Sequence, residues 1–331
     1  MKKFNVAVVG VGAVGEEMLR VLKQRNFPVN MLKVFARRPR EIMVDQQKYN
    51  VEQVSPEGFN GIQIALFAGT EGDKGAAVTY APEAIKRGAV VIDNGADFRM
   101  EKNVPLVVPE VNPQDVKKHK GIIANPNCST IQMVVALWPI YKAVGIKRVI
   151  VSSYQAVSGA GSSGIKQLES ELQGIDELQK AFAYAISKNI IPHIGGFSDD
   201  GYTTEEWKMV NETRKIMHDK NIKISATCVR VPVITGHSEA VYLETTKEIS
   251  LSRLRSILSK SSGIKVLDEP ANNVYPLPID AAGKDEVFVG RIRKDPFVKN
   301  GLWLWVVADN LRKGAALNAV QIAEVVCALW K

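Results

Sequence analysis

The hexapeptide Gly10-Val11-Gly12-Ala13-Val14-Gly15 constrains this chain more than any other stretch. It follows an apolar run over residues 4–9, and a helical stripe of Val14, Met18, Leu19 and Leu22 follows it. A G-x-G-x-x-G turn between a strand and a helix has a physical purpose. The glycines allow a tight turn and bring backbone N–H groups close to a pyrophosphate at the helix N-terminus. Without that context the motif is common. With it, Gly10, Gly12, Ala13, Val14 and Gly15 are expected to cradle a dinucleotide.

The rest of the first third keeps the same rhythm. Strands are expected over residues 32–36, 61–68 and 89–92, with a helix over 74–87. Alternating strands and helices predict a parallel sheet covered on both faces, the Rossmann-type arrangement. At the end of the second strand stand Arg37 and Arg38. An acid there would bind a ribose 2′-hydroxyl, whereas two guanidinium groups suit a 2′-phosphate, so the expected cofactor is NADP. The bland alternative is two solvated arginines.

After residue 128 the texture changes. Strands are expected over 148–157, 223–233, 238–244, 287–293 and 302–308. Few helices separate them, which predicts an α+β second domain with a mainly antiparallel sheet. A final apolar helix over 314–330 is hydrophobic all round and is expected to return to the first domain. The predicted division is residues 1–127 completed by 313–331 as the dinucleotide domain, and 128–312 as the second domain.

Composition excludes several classes. At 331 residues, 46% hydrophobic and 24% charged, the chain has the make-up of a globular protein. No apolar run approaches the roughly 18 residues that span a bilayer. The first residues lead into a strand without a small-residue cleavage site. Together with three scattered cysteines, that predicts a protein of the reducing cytoplasm. The formal net charge of +8 is spread thinly, with no basic stripe interleaved with aromatics. Anionic small ligands explain it better than nucleic acid, and no membrane partner is expected.

Cys128 lies in Asn125-Pro126-Asn127-Cys128-Ser129-Thr130, a turn that opens onto an apolar run. A thiol at a helix N-terminus sees backbone N–H groups and the positive end of the dipole, which favour its thiolate. A free cysteine is often only a small buried hydrophobe. That description suits Cys228 and Cys327, which lie within apolar segments. His237, beside Gly236, has the residue type for proton transfer near neutral pH. His119, His193 and His218 have no comparable setting, and no cysteine or histidine spacing fits a metal site. Thr203 and Glu206 have capping-box spacing, and Glu205 and Lys208 share a helix face. Arg230, a charge inside an apolar strand, requires an anionic partner.

Several motifs in order along the chain carry a family resemblance. They are Asn127-Cys128-Ser129-Thr130, Gln155 within Ser153-Tyr154-Gln155-Ala156-Val157-Ser158-Gly159, Glu205-Glu206-Trp207-Lys208, Arg230-Val231-Pro232-Val233, and Gly236-His237-Ser238-Glu239. The chain resembles the aspartate-semialdehyde dehydrogenases over essentially its whole length. It departs from their pattern in the glycine loop, where Thr often follows Ala, and at Arg37-Arg38-Pro39.

The resemblance implies reversible, NADPH-dependent reductive dephosphorylation of L-aspartyl 4-phosphate to L-aspartate 4-semialdehyde, a step toward lysine, threonine, methionine and isoleucine. Cys128 would be the nucleophile that becomes a thioester. His237 would be the acid–base group, and Gln155 would orient the acyl group. Arg230 would hold the α-carboxylate and Glu205 the ammonium. Lys208, Arg99 and Asn127 would bind phosphate. Ser158, Gly159 and Asn310 would serve the nicotinamide. A homodimer is expected, with residues 128–312 as its catalytic and dimerisation domain. Rival acyl reductases share the Cys/His plan: glyceraldehyde-3-phosphate dehydrogenase, an N-acetylglutamyl-phosphate type, and a malonyl-CoA type. The second expects a His-Pro-Gly-Cys pattern at its cysteine. The last has no need of Glu205.

Overall fold

The computed structural model describes residues 2–69, 75–175 and 180–330. The chain separates into two compact units, one formed by Met1–Asn127 with Ala315–Lys331, the other by Cys128–Gly314.

The first unit is built on β1 (Phe4–Val9), α1 (Ala13–Gln24), β2 (Val29–Ala36), β3 (Arg40–Val44), β4 (Gln47–Gln53), β5 (Ile64–Phe67), α2 (Ala76–Lys86), β6 (Val90–Asp93) and β7 (Ile122–Ala124). The sheet order is β3-β4-β2-β1-β5-β6-β7. Every pair except β3·β4 is parallel. Strand order reverses at β1, where β2 leaves to one side and β5 to the other, so the glycine loop after β1 sits at the switch point where α/β sheets bind ligands.

The sequence reading missed β3 and β4. Their charged, exposed residues resemble a solvated loop, and Asp45 and Gln46, both at positive φ, close them into a tight hairpin. The predicted strand over 61–68 is shorter because Gly61 takes a positive φ outside it. Lys74, the predicted start of the second helix, lies outside the described residues.

The second unit contains α3 (Cys128–Val144), β8 (Ile146–Gln155), α4 (Ser162–Leu172), α5 (Thr204–Ile216), β9 (Lys223–Arg230), β10 (His237–Thr245), α6 (Leu251–Ser259), β11 (Ile264–Val266), the short α7 (Pro278–Ala281), β12 (Val287–Lys294) and β13 (Gly301–Ala308). Its sheet order is β11-β12-β13-β10-β8-β9. The three central pairings are antiparallel, and the two outer ones, β11·β12 and β8·β9, are parallel. A parallel neighbour needs a crossover, and α4 and α5 lie within the one between β8 and β9. Helices α3, α5 and α6 pack as a layer on one sheet face. The opposite face carries the aromatic pairs Tyr154–Trp305 and Tyr242–Trp303.

The chain closes with α8 (Leu317–Leu329). Its Leu317, Val320, Ile322, Ala323 and Val326 are fully buried in the core of the first unit, with Val6, Val8 and Leu19. Burying each such aliphatic side chain contributes roughly 1.5–3 kcal/mol. Arg25 and Glu324 add a two-pronged ion pair at 2.7 and 2.8 Å. The return to the first unit begins at Ala315 rather than residue 313. A π-helical turn over Arg312–Ala316 precedes α8, and its first residues are held in the second unit. Arg312 there pairs with Asp285, and Gly314 packs on Cys128.

Candidate active site

In the first unit, each glycine of the loop has its own reason to be there. Gly10 takes φ +99°, a left-handed conformation that disfavours side chains. A Cβ on Gly15 would lie 1.9 Å from the Gly10 carbonyl oxygen, so only glycine lets α1 start so close to β1. Around Gly12 there is open space, the opening a backbone N–H needs to approach a phosphate. Gly12 is also the N-cap of α1, with no side chain of its own to satisfy the first N–H groups. These residues fit a dinucleotide pyrophosphate. Arg37 and Arg38 stand exposed just past β2.

Arg99 and Asn127 also belong to this unit and are buried. The Arg99 guanidinium donates to the carbonyls of Asn125, at 3.0 Å, and Asn94, at 2.7 Å, so it is fixed in orientation by backbone.

In the second unit the sheet register assembles the site. Gln155 on β8 is paired with Arg230 on β9. Ser238 of β10 is paired with Tyr154, which puts His237 opposite Gln155. Side chains in one row across adjacent strands share a face. His237, Gln155 and Arg230 are therefore one polar row at the sheet end, on the face covered by α3 and α5 (α3 begins at Cys128).

Hydrogen bonds tie this row to both helices. The Gln155 Nε2 donates to the hydroxyl of Ser129, next to Cys128. The same nitrogen donates to Glu205 Oε1 at 3.1 Å. Glu205 Oε2 faces Lys208 Nζ at 3.6 Å across one helical turn. The capping box is present: Thr203 Oγ1 accepts from the N–H of Glu206, and Glu206 Oε2 accepts from the N–H of Thr203 at 2.7 Å. Glu206 Oε1 also accepts from the N–H of Cys228 at 3.0 Å, which fastens the start of α5 to edge strand β9.

Arg230 is buried and donates from Nη1 to the Ala156 carbonyl at 2.6 Å, while its Nε has no protein partner. Its guanidinium lies 5.5 Å from the Phe182 ring. Burial lowers its pKa, against the attraction of Glu205 and Cys128. A buried guanidinium with an unused N–H is prepared for an anion.

His237 is fully buried. Its Nδ1 accepts the Ala156 backbone N–H at 3.0 Å. An amide N–H can only donate, so Nδ1 carries no proton and the neutral ring holds its proton on Nε2. That Nε2 has no protein partner. Burial, then the nearby Arg230 charge, pushes the His237 pKa well below its ordinary value.

Gly159 keeps this space open: a Cβ there would lie 2.8 Å from Arg230 Nη1 and 3.3 Å from His237 Nε2. Gly314 does the same beside Cys128, where a Cβ would lie 2.9 Å from Cys128 Cβ. Asn310 braces the loop before β10, accepting from the N–H of Gly236 at 2.9 Å and donating to Ser158 Oγ at 2.9 Å.

The sequence reading missed groups that orient the others, namely Ser129, the Ala156 backbone and Gly314. It read Glu206 as the N3 acid of the capping box but not its bond to the N–H of Cys228 on β9. The thiol of Cys228 is buried and its pKa is pushed up, chiefly by desolvation, which marks it as inert. Among the described residues no group of His, Cys, Asp and Glu side chains has the arrangement of a metal site, and no helix is long and apolar enough to cross a membrane.

The arrangement places a thiol at a helix start, a neutral imidazole donor and a buried guanidinium in one unit, and a dinucleotide loop in the other. Known proteins combine the same parts. Residues 5–119 match the family model for the semialdehyde dehydrogenase NAD-binding domain, and residues 137–313 match the model for the semialdehyde dehydrogenase dimerisation domain. The aspartate-semialdehyde dehydrogenase of Aquifex aeolicus is 56% identical over 335 residues, covering 97% of each chain. That of Bacillus subtilis is 50% identical, covering 97% of this chain and 96% of the relative. The crystal structure of aspartate semialdehyde dehydrogenase II of Vibrio cholerae, complexed with ASA, superposes with a TM-score of 0.93 at 46% identity and 99% coverage of both chains. The Candida albicans enzyme with NADP superposes at 0.75, with 26% identity and 99% coverage of both. With two family models and full-length relatives in agreement, the chain belongs to the aspartate-semialdehyde dehydrogenase family.

Proposed function

We propose that this protein reduces L-aspartyl 4-phosphate to L-aspartate 4-semialdehyde with NADPH, releasing phosphate, and runs the reaction in reverse through a Cys128 thioester. The row of His237, Gln155 and Arg230 beneath the start of α3 carries this reading. The Cys128 sulfur attacks the acyl carbon, the bond from that carbon to the phosphate oxygen breaks, and a thioester forms. When bound, a reduced nicotinamide would supply the hydride that reduces the acyl carbon. His237 Nε2–H donates to the oxygen on which negative charge develops, and takes the proton back as the carbon–sulfur bond breaks.

Arg230 holds the α-carboxylate. Glu205 holds the ammonium, and Gln155 orients the acyl group. Lys208, Arg99 and Asn127 take the phosphate. Gly10, Gly12, Ala13, Val14 and Gly15 would cradle the pyrophosphate of NADP. Arg37 and Arg38, exposed just past β2 where an acid would suit NAD, would pair with its 2′-phosphate, which supports NADP over NAD. Ser158 and Gly159 serve the nicotinamide, and the second amide N–H of Asn310 is left for its carboxamide.

A buried carboxylate at Glu205 favours an amino-acid substrate over malonyl-CoA, which has no ammonium to pair with it. The enzyme works as a homodimer in the cytoplasm. The exposed Ile150, Tyr184, Ile190 and Phe197 of the second unit support an interface, and three free cysteines support a reducing compartment.

The test is phosphate-dependent formation of NADPH from aspartate semialdehyde. Wild type is active, Cys128→Ala inactive and Glu205→Ala impaired. Replacing Arg37 and Arg38 by Ser raises KM for NADPH and leaves KM for NADH unchanged. Inactivity of the wild type, with reduction of malonyl-CoA instead, overturns the substrate assignment.

A further inference from the structure

Two residues along β10 from His237, on the same face, lies Glu239. It is fully buried, and both carboxyl oxygens lack a hydrogen-bond donor. Its neighbours in the cross-strand row are Val306 and Ser153, and beyond Ser153 comes Cys228. The nearest polar side chain acting on its carboxyl is Gln132 of α3. Gln132 is also fully buried, and its Oε1 lacks a donor. The Gln132 Nε2 donates to the His237 carbonyl at 3.3 Å.

The orientation of that amide is fixed by chemistry. A peptide carbonyl only accepts, so the Gln132 nitrogen faces His237 and its oxygen remains to be satisfied. A carboxylate at position 239 would leave three buried acceptor oxygens without donors, one of them charged. A single proton removes the buried charge and lets the acid donate to the amide oxygen, leaving only a neutral carbonyl oxygen without a donor.

We propose that Glu239 is a neutral carboxylic acid that donates to Gln132 Oε1, and that this acid–amide pair is a positioning device holding the His237 strand end against α3 one turn beyond Cys128. The inference rests on the assignment of His237 given above. Burial favours the protonated form and pushes the Glu239 carboxyl well above the usual range, outweighing the pull of the nearby Gln132 amide dipole toward the ionised form. The titratable and charged groups on its face are His237, held neutral, Cys228, held as a thiol, and, in the row of His237, Arg230, whose guanidinium donates to the Ala156 carbonyl, while α5 adds Glu205 and Glu206. None of them donates to Glu239, so a carboxylate there has no cationic partner.

Infrared difference spectroscopy of the intact enzyme, wild type minus Glu239→Gln at pH 8, is the direct test. The expected result is a carboxylic-acid C=O band that shifts in deuterium oxide and is missing from the variant. Absence of the band overturns the protonation state whatever the enzyme's substrate proves to be. Kinetics tests the positioning role. Glu239→Gln, still a donor to Gln132, keeps kcat within about twofold, whereas Glu239→Val lowers kcat roughly 10- to 100-fold with KM for aspartate semialdehyde unchanged. Wild-type turnover in Glu239→Val, or equal loss in both variants, overturns that role.

Discussion

The imidazole Nδ1 of His237 accepts the backbone N–H of Ala156 at 3.0 Å, leaving Nε2 as the protonated nitrogen. One peptide bond thus sets the tautomer of the imidazole, as a second group often does for a working histidine. The same residue turns its carbonyl to Arg230, so Ala156 orients two of the three members of the row. In the proposed reaction His237 therefore starts as a neutral donor.

This state has a consequence for pH. The folded pKa of His237 lies well below its ordinary 6.5, through burial and Arg230. Between the two values the unfolded chain binds the additional proton. The contribution to stability is complete above about 6.5 and is lost as pH falls toward the folded pKa. Denaturant titrations from pH 8 to 5 should show stability falling more steeply in wild type than in His237→Asn. Equal slopes would remove the linkage. The same variant should lose roughly 10²- to 10⁴-fold in kcat.

Glu205 is held by two neighbours, Gln155 at 3.1 Å and Lys208 at 3.6 Å, and neither bond needs a substrate. Glu205→Gln keeps the size and removes the charge. A hydrogen bond to a charged group contributes about 1.5–3 kcal/mol, so kcat/KM for aspartate semialdehyde should fall about ten- to a hundredfold, mostly through KM. Steady-state kinetics with an unchanged KM would exclude ammonium binding at this position.

Gly159 should be sensitive in activity and tolerant in stability. Its added Cβ would meet the Arg230 Nη1 at 2.8 Å, the tip of a side chain rather than backbone. That tip is already held by the Ala156 carbonyl, so relief would come by dislodging the guanidinium from the row. Gly159→Ala should lower kcat/KM roughly 10²-fold while Tm changes little, as displacement of about 1 Å near reacting groups predicts. Wild-type kinetics in this variant would mean that the loop, and not Arg230, yields.

Much of this was legible in the chain. The glycine loop, the capping box at Thr203–Glu206 and the helix beginning at Cys128 are local patterns, decided by residues within one or two turns of each other. The fold class followed from the alternation of strands and helices in the first third and the run of strands after residue 128. The hairpin of β3 and β4 was hidden because its polar, exposed residues lack the apolar alternation of a half-buried strand. The parallel pairing of β8 with β9 was hidden too, because register across a long crossover leaves no mark in either strand. That register is what places Gln155 beside Arg230. The family motifs named the members of the row, but no local pattern showed that Ser129 and Ala156 hold them.

The glycine loop separates steric need from ligand need, and two substitutions should tell them apart. Gly15→Ala drives a Cβ to 1.9 Å from the Gly10 carbonyl oxygen, which is backbone and cannot step aside. Overpacking of this kind costs about 1–3 kcal/mol, so Tm should fall along with cofactor binding. Gly12→Ala meets nothing within 4 Å. Its Tm should match wild type, while KM for NADPH rises because the new methyl occupies the space the pyrophosphate requires. Thermal melts paired with NADPH titrations distinguish the two. If Gly12→Ala binds NADPH as tightly as wild type, the open space at this turn is not where the phosphates lie.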